Sequence, residues 1–187
     1  CAWFNDSGID YFCSVLGASN SHLLERCPFG SLEIALGPIG KKNLRGLVFV
    51  VGFLNSHKPD IVVTHSSTDS WLVALARLFV KTPFHIVRVR HVSATVHPTI
   101  ATRWLYQQAS LVVTTSSAIK SHLIESLNLN HDEVIVVSTG IDVHKVSGLS
   151  AVASRVPIKR RLGVADGPLV LGMLSTLRSW KGHRFAL

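Results

Sequence analysis

The chain is predicted to be an α/β protein built on a doubly wound parallel sheet, and three observations lead there. Short apolar runs recur along it: Ile61-Val62-Val63, Phe84 to Val89, Leu111-Val112-Val113, Val134 to Val137 and Leu169 to Leu174. Each is a few residues long and β-branched or otherwise apolar, as strands buried on both faces are. Longer stretches with helical spacing separate them, and strands alternating with helices imply parallel pairing with helices packed on the sheet. The bulk composition agrees. With 187 residues, 47% hydrophobic and 16% charged, there is ample material for a core, and a disordered tail is excluded.

The elements follow in order. Tyr11 to Leu16 reads as a strand, Ser19-Asn20-Ser21 as the cap of a helix through Glu25, and Glu33 to Leu36 as a strand before the Gly37-Pro38 turn. Leu44 to His57 reads as a helix that Pro59 ends. Trp71 to Val80 is apolar nearly all round, so a buried helix is expected there, with Ser67, Thr68 and Asp69 as capping residues. Ser116 or Ser117 caps a second helix whose apolar face is Ile119, Leu123, Ile124 and Leu127. After Asp142 the composition shifts. Residues 143–154 read as a linker, Arg155 to Leu162 as a short basic helix, and Ala165-Asp166-Gly167-Pro168 as a turn before the run Leu169 to Leu174. The expected division is therefore a first domain over 1–142, a linker with a basic helix over 143–167, and the start of a second domain over 168–187.

Charge and cysteine usage narrow the function. Lys plus Arg is 19 against 11 for Asp plus Glu, a formal charge of +8. The basic residues are not interleaved with aromatics, so nucleic acid is not an expected partner. Lys41-Lys42-Asn43-Leu44-Arg45 precedes the apolar run Leu47 to Leu54. Such a segment either lies on an anionic membrane surface or docks in the core. The three cysteines, Cys1, Cys13 and Cys27, form no CxxC pair, which argues against a disulfide scaffold or zinc finger and for a reducing compartment. No apolar stretch reaches the ~18 residues of a membrane span. The start has neither a signal-peptide pattern nor an initiator Met, and the chain is expected to be a piece of a longer protein.

In open parallel sheets ligands bind beyond the carboxyl ends of the strands. Five polar clusters fall there: Thr64-His65-Ser66-Ser67; Arg88 to Ser93; Thr114-Thr115-Ser116-Ser117; Ser138-Thr139-Gly140-Ile141-Asp142; and Ser175 to Lys181. The topology should bring the first four to one edge of the sheet. Hydroxyls also belong in loops and helix caps for purely structural reasons, so each cluster has that second reading. His91, after a strand and with Arg88 and Arg90 beside it, suits hydrogen bonding or general-base work, or is a loop histidine in a chain with ten. His65 is similar. The stretch from Ser175 to Gly182 is either an anion site at a helix start or a solvated basic turn. Neither a Walker A loop, a G-x-G-x-x-G, an HExxH, a D-x-D nor a G-x-S-x-G elbow is present.

Taken together, residues 59–183 resemble the GT-B-fold, family-4-type (group 1) retaining glycosyltransferases. The pieces that carry the likeness are Pro59-Asp60-Ile61-Val62-Val63-Thr64-His65-Ser66, Arg90-His91-Val92-Ser93, Arg103-Trp104-Leu105-Tyr106, Val112-Val113-Thr114-Thr115-Ser116, Ser138-Thr139-Gly140-Ile141-Asp142 and Leu177-Arg178-Ser179-Trp180-Lys181-Gly182-His183. The resemblance implies two Rossmann-like domains facing a cleft, with acceptor bound by the first and nucleotide-sugar donor by the second. It makes His91 the histidine beside the transferred sugar. Lys181 becomes the cation that neutralises the donor diphosphate, with Arg178 and Thr176 near it. His65, Ser66, Arg90, Ser116, Gly140 and Asp142 would line the acceptor side of the cleft.

A cation already in place would stabilise the departing diphosphate without metal, so neither a metal nor a resident cofactor is expected, and the nucleotide-sugar is a substrate. Two departures stand out. Thr176 occupies the position where the family often has an Arg, with Arg178 closer to Lys181, and the family's two glutamates, seven residues apart, fall beyond Leu187. The expected activity is transfer of a sugar to a hydroxyl of a cell-envelope glycolipid or glycan. The site would be cytoplasmic, free or peripheral on the inner face of the membrane, and this piece alone is expected to be inactive. Two rival readings are a non-catalytic binding module of the same fold and a nucleotide-sugar epimerase.

Overall fold

The structure is a computed structural model and describes residues 13–19, 33–40, 44–91, 95–140, 143, 160, 163, 172–173, 175–176 and 181–185. The chain divides into two compact units, Cys1–Thr139 and Gly140–Leu187.

In the first unit, strands β1 (Ser14–Ala18) and β2 (Glu33–Gly37) pair in parallel. Helix α1 (Leu44–His57) follows, then β3 (Ile61–Thr64), α2 (Ser67–Ala76), β4 (His85–Arg90), α3 (Ile100–Gln107), β5 (Leu111–Thr114), α4 (Ser117–Leu127), a single 3-10 turn (His131–Glu133) and β6 (Val134–Val136). Strands β3-β4-β5-β6 form a four-stranded sheet in that order, every pair parallel. The expected α/β architecture is therefore present, and parallel pairing puts the carboxyl ends of all four strands along one edge.

Strand alternation decides which side chains are inside. Val62 and Thr64 of β3 lie beside Ile86 and Arg88 of β4, and Arg88 beside Val112 of β5. Thr64, Ile86, Arg88, Val112 and Thr114 are all buried. The alternate positions Ile61, Val63 and Ile135 are exposed. Two apolar clusters fill the inner side. One gathers Val50 and Leu54 of α1, Leu72, Val73 and Ala76 of α2, and Ile86. The other gathers Tyr106 of α3, Ile119, Leu123 and Leu127 of α4, Val112 and Val134. Half-buried Ala109 packs against both.

The helices start and stop for identifiable reasons. Helix α1 buries Gly46, Val50 and Leu54, spaced i, i+4, i+8, while Leu44 and Val48 stay exposed. A Cβ at position 46 would lie 2.6 Å from the carbonyl oxygen of Pro38, so glycine lets this helix approach the preceding turn. Helix α2 begins earlier than its apolar pattern suggests. Ser66 is the N-cap, its Oγ accepting the Asp69 N–H, and Asp69 closes a capping box. It also ends before Val80. The N–H groups of Leu78 and Phe79 turn back to the carbonyls of Leu75 and Ala76, and both side chains are left exposed. Helix α4 is capped by Ser116 and ends at Asn128, whose φ of 55° is left-handed.

Helix α3 has no counterpart in the sequence reading. Its amphipathic stripe is short, burying only Leu105 and Tyr106, and its cap is Thr99, which accepts the Thr102 N–H. The expected helix from residue 19 to 25 lies outside the described residues, as do the linker from 144 to 154 and most of the basic helix. Within that last stretch Arg160 is helical, and the Gly163 N–H donates to its carbonyl. Of the expected strand over 169–174, only Gly172 and Met173 are described. Both are exposed and in no strand, with no described strand alongside to pair with. Cys13 is a free thiol. Among the described residues no helix is long and apolar enough to cross a membrane.

Candidate functional site at the carboxyl edge of the sheet

The carboxyl edge begins with β3. Beyond Thr64, the backbone N–H groups of His65 and Ser66 both donate to the Asp69 carboxylate, at 2.9 and 2.8 Å. The Ser66 hydroxyl donates to the same carboxylate at 2.9 Å. Asp69 therefore locks the backbone that carries the His65 side chain. One strand over, His91 follows β4, and its Nε2 lies 3.3 Å from His65 Nδ1. The ring planes are within 4° of parallel with centroids 5.6 Å apart. A hydrogen bond between ring nitrogens runs in the ring plane, so this is an edge-to-edge N–H···N contact more than a face stack. One nitrogen carries the hydrogen and the other accepts it. Both imidazoles are exposed, so the pair faces solvent.

Arg90, the last residue of β4, donates from Nη1 to the Tyr106 hydroxyl at 3.2 Å. Two residues earlier Arg88 lies on the same face of the strand, its guanidinium carbon 4.4 Å from the Tyr106 ring centroid. Arg88 is only 7% exposed, and among the described residues its buried Nη1 has no hydrogen-bond partner. Tyr106 thus sits between two guanidiniums, with one against its ring and one at its hydroxyl.

The third strand contributes hydroxyls of a different kind. Thr114 is buried, and its Oγ1 shares its one hydrogen between the carbonyls of Ser116 and Ile135, at 3.3 and 3.2 Å. Ser116 Oγ accepts the Ile119 N–H as the α4 cap. These groups tie strand ends to helix starts.

The first unit therefore brings His65, Ser66, Arg90 and His91 of the predicted set to neighbouring strand ends, with Ser116 further along the edge. Ser66 and Ser116 are engaged as helix caps. In the second unit Thr176 and Lys181 are exposed. Ser175 Oγ lies 2.9 Å from His183 Nε2, and Gly182 takes a φ of 78° before the 3-10 turn His183–Phe185. Gly140 is exposed, with no atom within 4 Å of a Cβ built on it. Arg178 and Asp142 lie outside the described residues. Among those described, no group of three or more His, Cys, Asp or Glu is placed to hold a metal ion.

Sequence reasoning missed three residues. Asp69 was read as a possible cap, not as the anchor of the His65 backbone. Arg88 was read only as a neighbour of His91, although strand alternation from Ile86 places it inside. Tyr106 was given no role of its own. The signal for the last two was present: a cation at an inward strand position calls for an aromatic or acidic companion.

Comparison with known proteins adds the family. The family described as Glycosyltransferase Family 4 matches residues 8–145. Among solved structures, a glycosyltransferase from Rickettsia africae ESF-5 is similar at a TM-score of 0.71 and 16% sequence identity. The likeness covers 97% of this chain and 48% of that one, so the chain spans about half the length of that structure. The apo form of the lipopolysaccharide outer core galactosyltransferase WaaB is similar over 71% of this chain and 47% of that one, at 15% identity and a TM-score of 0.48. No curated protein matches.

Proposed function

The chain belongs to Glycosyltransferase Family 4, and from that premise we propose that it carries the acceptor side of a retaining, metal-independent glycosyltransferase. The reaction moves a sugar from a nucleotide-diphosphate donor to a hydroxyl of a cell-envelope glycolipid or glycan. The observation that supports this most is the His65–His91 pair, two hydrogen-bonded, solvent-facing imidazoles at adjacent strand ends. An imidazole fixed by a second imidazole on an anchored backbone presents its free edge in one orientation, which suits contact with a transferred sugar and its incoming hydroxyl. His91 is the catalytic group in this reading and His65 its positioning partner.

Lys181, with Thr176 and Arg178, belongs to the donor diphosphate. Its ammonium neutralises charge as the nucleoside diphosphate leaves, which needs no metal ion. His65, Arg90, Gly140 and Asp142 belong to the acceptor side, where Ser66 and Ser116 serve as helix caps. The exposed Leu44 and Val48 beside Arg45 on α1 suit contact with an anionic membrane surface, where a glycolipid acceptor is presented on the cytoplasmic face.

The test is transfer from a panel of radiolabelled nucleotide-sugars to glycolipid extracted from the source membrane, using the native protein from that source. Label in glycolipid is the expected result, with turnover lost in H91A. Donor epimerised or hydrolysed equally with and without lipid would replace the transferase reading with an epimerase. Donor bound and left intact would point to a binding module of the same fold.

A further inference from the structure

Arg88 is at odds with its surroundings. Register places it in the middle of the sheet, between Thr64 of β3 and Val112 of β5, on the inner face where Ile86 precedes it. An aliphatic side chain is what that position ordinarily holds. A guanidinium there loses its hydration, and its contact with the Tyr106 ring restores only part of it. Nη1 is sealed from solvent and has no acceptor among the described residues. Buried polar groups are nearly always paired, so this one calls for a partner that the described residues do not supply.

Arg90 shows what that partner is. It lies on the same face of β4, half-buried, at the other end of Tyr106. Two guanidiniums two residues apart on one strand face bring two positive charges together, with Arg88 Nη1 as a donor. That arrangement matches a phosphate dianion better than a single carboxylate. We infer that Arg88 and Arg90, with Tyr106 between them, form a phosphate site at the end of the strand that His91 follows, and that the phosphate is carried on the acceptor sugar. The anion enters on the half-exposed Arg90 side and exchanges the bond from Arg90 to the Tyr106 hydroxyl for its own. It then supplies the acceptor that Nη1 lacks. The low dielectric around Arg88 strengthens the contact and favours an oxyanion over a simple halide. This rests on the acceptor-side reading above and adds a substrate class to it: phosphorylated glycan or glycolipid.

The experiment is a thermal melt of the native protein, the same preparation assayed for transfer, in inorganic phosphate, in glucose 1-phosphate and in sodium chloride, all at equal ionic strength. An NMR titration following the Arg Nε–Hε and Tyr106 signals runs alongside. The expected result is a saturable rise in Tm with phosphate and a larger one with glucose 1-phosphate, neither matched by chloride. R88M should be at least as stable as wild type without phosphate, since it removes an unpaired buried charge, and should bind phosphate about tenfold more weakly or worse. If R88M does not fold, R90Q reads the same loss of affinity from the entry side.

Equal melts in phosphate and chloride would overturn the site. So would an R88M that folds with a lower Tm and unchanged phosphate binding, because Arg88 would then be structural. Inorganic phosphate binding more tightly than glucose 1-phosphate would assign the site to the free ion and overturn the acceptor assignment. Phosphate binding in a protein that transfers no sugar would keep the site and remove the transferase reading. Transfer without phosphate binding would do the reverse.

Discussion

The two ends of the same four strands use polar residues differently. At the amino edge polar groups are absorbed by the fold. The His85 N–H donates to the Asp60 carbonyl, His85 Nδ1 lies 3.1 Å from Ser110 Oγ, and Arg77 Nη1 donates to the Gln108 carbonyl. A cavity of about 210 Å³ lies there, lined by Asp60, Arg77, Pro83, Phe84 and His85. At the carboxyl edge the hydroxyls behave the same way, since Ser66 and Ser116 cap helices. The imidazoles do not, and the guanidiniums engage an aromatic side chain rather than a helix start. His65 and His91 hold each other, and Arg88 and Arg90 share one tyrosine. A short hydroxyl reaches the amides of the next helix start, whereas a ring or a long cation extends past them. The lesson is that position after a strand does not by itself mark a functional group. Position together with a side chain too large to cap is the pattern on which the proposed site rests.

The sharpest way to break this contrast is to remove one histidine from each edge. His91→Ala should lower transfer turnover by about 100-fold or more, the usual range for a positioned acid–base group. Its stability should move by no more than about 0.5 kcal/mol, because the side chain is exposed. His85→Ala at the amino edge should leave turnover unchanged. Equal losses for both, measured as kcat with donor saturating, would mean that the two edges are functionally alike.

Asp69→Ala tests the structural side of the carboxyl edge. The carboxylate accepts from the N–H groups of His65, Ser66 and Ser70 and from the Ser66 hydroxyl. Its loss should cost about 2 kcal/mol, the upper end for a helix cap, and lower Tm by about 4–8 °C. Turnover should fall as well, since the His65 backbone is released. Full turnover at the lowered Tm would show that His65 need not be held. Ser116→Ala is the milder version, with about 1 kcal/mol lost and no change in KM for either substrate. A raised KM at unchanged Tm would move Ser116 from cap to ligand.

How much of this was legible in the sequence follows from the same distinction. Strands β3 to β6 were visible because each is a compact β-branched run, and helix α4 because Ile119, Leu123 and Leu127 repeat at helical spacing. Helix α3 was not, because Leu105 and Tyr106 are its only buried residues and leave no periodicity to read. The end of α2 was misjudged because Leu78, Phe79 and Val80 continue an apolar pattern after the backbone has turned away. At the site, His65, Arg90 and His91 could be placed at one edge from strand order alone. The partners were less legible: Asp69 reaches back to His65 through a local capping box that reads in sequence only as a helix start, and Tyr106 acts through a tertiary contact that no spacing rule encodes.

Gly140 gives the smallest expected effect and isolates the reading of this edge most cleanly. It follows Thr139, the last residue of the first unit, and was read as lining the acceptor side. Among the described residues nothing requires glycine there. Its φ is not in the left-handed region, and a Cβ would meet open space. Gly140→Ala should therefore change stability by no more than about 0.5 kcal/mol. With the structural cost near zero, any effect on transfer belongs to the ligand. A raised acceptor KM would mean that substrate approaches the backbone at 140 too closely for a methyl group. An unchanged KM would remove Gly140 from the site and leave the carboxyl edge defined by its two histidines and two arginines.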